Sequence, residues 1–208
     1  HQVFSVYQGE ERSLYQKTFI PAIGGSLSKM GRLMVALNWG NEGNRDRITS
    51  DKKRRWSADQ VQAIIDTLDA RDVQFVNDVW KLLESFWPEI EAKQKRVFGI
   101  APEKVAATPF TANGGSFTGG YFPLAYENQL SAGAQSNMEG SFAEGLKQAS
   151  YVKATTKRGH TEARAAHVSL PVRLDFGVID SHLSQVVHDL THHEMLIDVS
   201  RLLGDREV

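Results

Sequence analysis

SADQVQAIIDTLDARDVQFVNDVWKLLESFWPEIEAKQKRVFG, residues 57–99, is the stretch on which the fold class turns. Ser57-Ala-Asp-Gln60 matches a capping box, in which the serine hydroxyl and the glutamine amide each satisfy a backbone N–H that the first helical turn leaves free. Val61, Ile64, Ile65 and Leu68 follow at spacings of three and four, the apolar stripe of a short helix. After Asp69-Ala-Arg-Asp72 the same period continues through Val73, Val76, Val79/Trp80, Leu83, Phe86/Trp87 and Ile90. Pro88 should kink or split this second helix, because proline lacks a backbone donor and its ring collides with the preceding turn. Gly99 is its expected terminator. The reading is a mainly α, irregular helical domain.

Outward from this helical pair (58–98) the pattern loosens. Residues 1–57 read as an irregular lead-in with one helix, Leu27–Leu37, carried by Met30, Leu33, Met34 and Leu37. Asn38-Trp-Gly-Asn-Glu-Gly-Asn-Arg45 follows, and its glycines and asparagines favour turn and left-handed conformations. Residues 99–133 form a Gly/Pro-rich segment, with a small β-hairpin expected around residues 105–126. Residues 134–208 read as helices. The first is a weak Ala- and Ser-rich one over 134–153, followed by a basic loop over 153–164. Pro171–Gly177 is then an extended lead-in to a last helix striped by Ile179, Leu183, Val186/Val187, Leu190, Ile197 and Leu202/Leu203.

Composition bounds the function. The chain has 208 residues, 24 Lys+Arg against 25 Asp+Glu, and a formal net charge of −1, which argues against a protein that coats nucleic acid. It has no cysteine, so disulfides, Cys-ligated zinc, iron–sulfur clusters and a cysteine nucleophile are excluded. No apolar run reaches the ~18 residues of a membrane span. The first residue is not Met and the sequence stops just after an amphipathic segment, so the expectation is one module of a longer polypeptide.

Three groups of residues have the chemistry for a site. His188 and His192 are four apart, on one face of a helix, and could share a divalent metal with Asp189 or Glu194 as third ligand or base, the set of a metal-assisted hydrolase. No HExxH is present, and the bland reading is the polar flank of an amphipathic helix. Val187-His188-Asp189 also resembles the His-Asp pair in a carboxylate motif of single-subunit RNA polymerases, chemistry that needs the Asp on a tight β-turn and a second Asp to hold two metal ions. Arg45, Arg47, Lys52, Lys53, Arg54 and Arg55 form a basic stretch able to grip phosphates, with Trp39 and Trp56 placed to stack on bases, and Lys153, Lys157, Arg158, His160 and Arg164 are possible extensions. The alternative is a solvated loop anchored by its two tryptophans. The glycines of 113–120 make no phosphate loop, since the lysine and the following Ser/Thr are missing. No catalytic residue is identified and no cofactor is expected.

Taken together, Ala36–Arg45, Phe86-Trp-Pro-Glu-Ile90, Gly99-Ile-Ala-Pro-Glu-Lys-Val105, Gly119-Gly-Tyr-Phe-Pro-Leu124, Arg173-Leu-Asp-Phe-Gly-Val178 and Val187–Glu194 resemble one family. It is the very large internal virion proteins of tailed bacteriophages and prophages, built of large polyvalent protein modules. The resemblance implies an ejection protein packaged in the phage head or portal region and delivered into the host cell with the genome. Its implied partners are the portal and tail proteins, neighbouring copies, other segments of its own chain and DNA. The alternative it implies is part of a virion-packaged enzyme, such as a giant virion RNA polymerase. It supplies no catalytic residues.

Overall fold

The structure is a computed structural model of the chain, and it describes residues 3–127 and 170–204. The fold is mainly helical with two small antiparallel hairpins. Two 3-10 turns, Val3–Tyr7 and Glu11–Tyr15, lead into strands β1 (Lys17–Ile20) and β2 (Gly25–Ser28), paired in register from Lys17 opposite Ser28 to Ile20 opposite Gly25. Helices α1 (Lys29–Asn38), α2 (Glu42–Ser50), α3 (Ala58–Ile65), α4 (Ala70–Ser85) and α5 (Trp87–Phe98) follow. Strands β3 (Phe110–Ala112) and β4 (Gly115–Phe117) form the expected hairpin, and α6 (Gly177–Gly204) closes the described chain.

Helix α1 is the hub. Ser28 caps it by accepting a hydrogen bond from the Gly31 amide, and Leu33, Met34, Val35, Ala36 and Leu37 are all fully buried. A helix buried on every side must be surrounded, and α1 is packed by β2, α2, α3 and α4. The capping box of Ser57 and Gln60 forms as the sequence predicts, and Val61, Ile64, Ile65 and Leu68 are buried. A second capping box, Asp69 with Asp72, starts α4. Pro88 splits the long helix: α4 ends at Ser85, α5 begins at Trp87, and Gly99 terminates α5 with φ 73°.

Two expectations for the first 57 residues are corrected. They hold the β1–β2 hairpin and α2 in addition to the expected helix. The stretch Asn38–Arg45 is a turn only at Trp39–Asn41, after which Glu42 to Arg45 are helical. The reason is capping: the Asn41 side chain accepts from the Asn44 amide at 3.0 Å and starts α2. The weak helix over 134–153 and the basic loop over 153–164 lie outside the described residues.

The N-terminal turns are tied down by charge. Tyr7 donates its hydroxyl to the fully buried Asp72 at 2.5 Å, and Lys29 lies 2.8 Å from the same carboxylate. Burial, then the Asp72 hydrogen bond, push the Tyr7 hydroxyl above the ordinary tyrosine range. At the other end Tyr126 bridges Val172, and Val178 and Ile179 enter the core at the start of α6. Beyond them α6 runs alongside α5, held by Lys93 to Asp189, by Arg96 to Glu194 at 2.6 Å, and by Phe98 against His193. These contacts join residues 93–98 of α5 to residues 189–194 of α6.

Of the described glycines, Gly40 has the least room for a side chain. A Cβ there would lie 2.4 Å from the Trp80 ring and 3.0 Å from the Gly120 amide nitrogen. Backbone and indole cannot give way together, so Gly40→Ala should cost about 2–3 kcal/mol, the upper range for overpacking a core. Urea denaturation would show this as a lowered midpoint at unchanged slope.

Candidate functional site

The structure separates the six basic residues of the 45–55 stretch. Arg45 lies on α2 and turns inward: its Nε donates to the Trp39 carbonyl at 2.7 Å, and an Nη donates to the Thr108 carbonyl at 3.1 Å. Its guanidinium sits 5.1 Å from the Trp39 ring and 5.7 Å from that of Phe110. Arg47 is 3 % exposed. Arg54 bridges Asp51 at 2.7 Å, Glu127 at 2.5 Å and the Val172 carbonyl at 2.8 Å. Lys53 also pairs with Glu127 at 2.7 Å. Only Lys52, Lys53 and Arg55 are exposed, and Trp39 and Trp56 are buried. Lys153, Lys157, Arg158, His160 and Arg164 lie outside the described residues.

Asp51 ties this loop to the rest of the fold. It is 1 % exposed and accepts from the amides of Lys53, Arg54 and Val172, at 2.8, 3.2 and 3.2 Å. Asp51 and Arg54 therefore clamp the α2–α3 connection to the Tyr126–Val172 bridge, joining segments about 120 residues apart in the chain. Burial raises the cost of ionising Glu127, but the hydrogen bonds and charges of Lys53 and Arg54 outweigh it and hold its carboxyl below the ordinary value.

His188 and His192 do come together on α6, with rings stacked 4.7 Å apart, and both are exposed. Their proposed third ligands face the other way. Asp189 is held by the buried Lys93, and Glu194 pairs with Arg96. His192 Nδ1 lies 2.5 Å from the Thr191 hydroxyl. Among the described residues, no group of three or more His, Asp or Glu is placed to hold a metal. Asp189 sits in the middle of a helix instead of the tight β-turn that two-metal polymerase chemistry needs. Asp175 accepts from the Gly177 amide at 2.9 Å and pairs with Arg173.

Spacing alone did not reveal the network at the centre. Asn38, Asn41 and Asn44 are each at most 1 % exposed. Asn44 donates to the Asn38 side chain at 3.0 Å and to the Phe122 carbonyl at 3.1 Å, and Asn41 donates to the Gly120 carbonyl at 3.1 Å. The Gly40 carbonyl accepts from both Thr108 and Gly120, at 2.9 and 2.8 Å. The available signal was three asparagines spaced by three. Beside this network lies an open groove of about 450 Å³, lined by Trp80, Lys81 and Glu84 of α4, residues 104–107, and Thr118–Tyr121. No helix among the described residues is long and apolar enough to cross a membrane. Compared with protein-family models, with curated proteins and with solved structures, the chain has no match.

Two outcomes follow from the Arg54 clamp. Arg54→Ala strands Asp51 without its cation and should cost about 2–3 kcal/mol in chemical denaturation, whereas Lys52→Ala should stay within about 0.5 kcal/mol. A carboxyl depressed in the folded state stabilises above its unfolded pKa, and that stability is lost as pH falls through the folded value. The melting temperature should therefore fall on acidification below about pH 5, and Glu127→Gln should fall less steeply over the same range.

Proposed function

We propose that this chain is a structural module of an internal virion (ejection) protein of a tailed bacteriophage or prophage, packed in the head or portal region and delivered into the host cell with the genome. The observation that supports it most is where the resembling segments sit. Asn38–Arg45 and Gly119–Leu124 spend their polar side chains on each other, Asn44 on Phe122 and Asn41 on Gly120, and Arg173 pairs with Asp175 within the third segment. Residues that knit a fold together belong to a scaffold.

The partners are other segments of a longer chain, portal or tail proteins, or neighbouring copies. Val187, Met195, Val199 and Leu202 on α6, with Phe98 and Ile100, are exposed large apolar residues consistent with such packing. The 45–55 stretch gives DNA at most a small contact. The three exposed cations of the 45–55 stretch offer few phosphate contacts, so the slope of log affinity against log salt should be no steeper than about −3. Fluorescence anisotropy with a duplex probe measures it, and a much steeper slope would place a larger DNA surface elsewhere.

Peptide mapping of purified particles by mass spectrometry, before and after triggered genome release, tests the reading. Peptides of this chain should be present before release and depleted afterwards. Retention in the emptied shell would make the module a fixed particle component, and absence from particles would overturn the proposal.

A further inference from the structure

One stretch of α6 carries two pairs of residues four apart. Asp189 and His193 face α5: Asp189 is bonded to Lys93, itself 1 % exposed, and His193 is buried against Phe98. His188 and His192 are both exposed, with rings 4.7 Å apart and inclined by 16°. The inward pair fixes this part of α6 on α5 and so holds the outward pair in place.

The tautomer of His192 follows from its neighbour. The Thr191 hydroxyl has a single hydrogen and donates it to the Val187 carbonyl at 2.8 Å, with the His188 carbonyl at 3.4 Å. Carbonyl oxygens only accept, so that hydrogen is spent. Toward His192 Nδ1, 2.5 Å away, the Thr191 oxygen is left to accept. In the neutral ring Nδ1 therefore carries the proton, and Nε2 keeps its lone pair. A metal-ligating histidine has this arrangement: its second nitrogen donates to an outer partner that fixes the ring.

We propose that His188 and His192 form a two-imidazole site for a late first-row divalent cation, Zn²⁺, Ni²⁺ or Cu²⁺, with Thr191 as a positioning residue. The inference does not depend on the virion reading. Imidazoles at i and i+4 of a helix reach one ion. Bonds of ~2.1 Å to both nitrogens set them roughly 3–3.5 Å apart, which two exposed rings reach by tilting toward each other. Nitrogen ligands select against Mg²⁺ and Ca²⁺, which take oxygen, and the general order of affinities puts Cu²⁺ tightest. Asp189 and Glu194 are held by Lys93 and Arg96, so among the described residues the chain supplies two ligands and water completes the shell.

Long-range ¹H–¹⁵N NMR of the full chain, titrated with ZnCl₂, tests the proposal at the two rings themselves. The metal-free spectrum should show His192 protonated at Nδ1, and ZnCl₂ should move the ring nitrogens of His188 and His192 along one shared isotherm. MgCl₂ should move neither. His188→Ala should weaken the response of His192 at least about tenfold. Thr191→Val should weaken it about tenfold, and Thr191→Ser, which keeps the acceptor, should restore it. All three positions are exposed, so the variants should melt with the parent chain. A His192 protonated at Nε2 would overturn the proposal, as would separate isotherms for the two rings or an unchanged His192 response in His188→Ala.

Discussion

The contact of Gly40 with Trp80 and Gly120 is the constraint on which the other elements depend. It brings the end of α1, the middle of α4 and the chain leaving β4 closer together than any side chain at position 40 would allow. Gly119 meets the same demand: it holds φ at 69°, and a Cβ there would lie 2.6 Å from the Thr108 carbonyl. With the backbones in place, the Gly40 carbonyl can serve two amides, and the asparagines of 38–44 can reach carbonyls 78 and 79 residues away. Each such buried bond contributes about 1 kcal/mol net but costs more to break, so the knot specifies an arrangement more than it adds stability.

This economy bears on function. The charged and polar residues that looked most capable of chemistry are engaged in architecture: Arg45 under Trp39, Arg54 with Asp51, Asp189 with Lys93. Buried ion pairs of this kind are weak sources of net stability but costly to break on one side, and that property suits elements that must lock in one register. Among the described residues, the groove beside Trp80 and an apolar flank on α6 stay open to the outside.

The helical pair was legible because its signals are local. The Ser57–Gln60 capping box, three-and-four spacing, Pro88 and Gly99 act within one or two turns, and the chain obeys each of them. The β3–β4 hairpin was legible from its glycines for the same reason. The β1–β2 hairpin was not, because Lys17–Ile20 shows no alternation of buried and exposed positions: three of its four residues are exposed. Helix α2 was hidden because Ile48 is its one large apolar residue; Asn41 caps it, and Asn44, Arg47 and Ile48 are buried. The candidate sites failed to read for a related reason. A run of cations gives the count of charges, whereas their partners Glu127, Val172 and Thr108 lie 63 to 118 residues further along the chain.

The central claim is that residues 36–45 and 119–124 form one cooperative unit with α1 and α4. Amide hydrogen exchange followed by mass spectrometry tests it most directly. The account predicts that both segments exchange as slowly as α1 and α4 and lose protection with them at a single denaturant concentration. Fast exchange in 119–124 while α1 remains protected would contradict it, because the knot would then be a surface contact that the fold does not need.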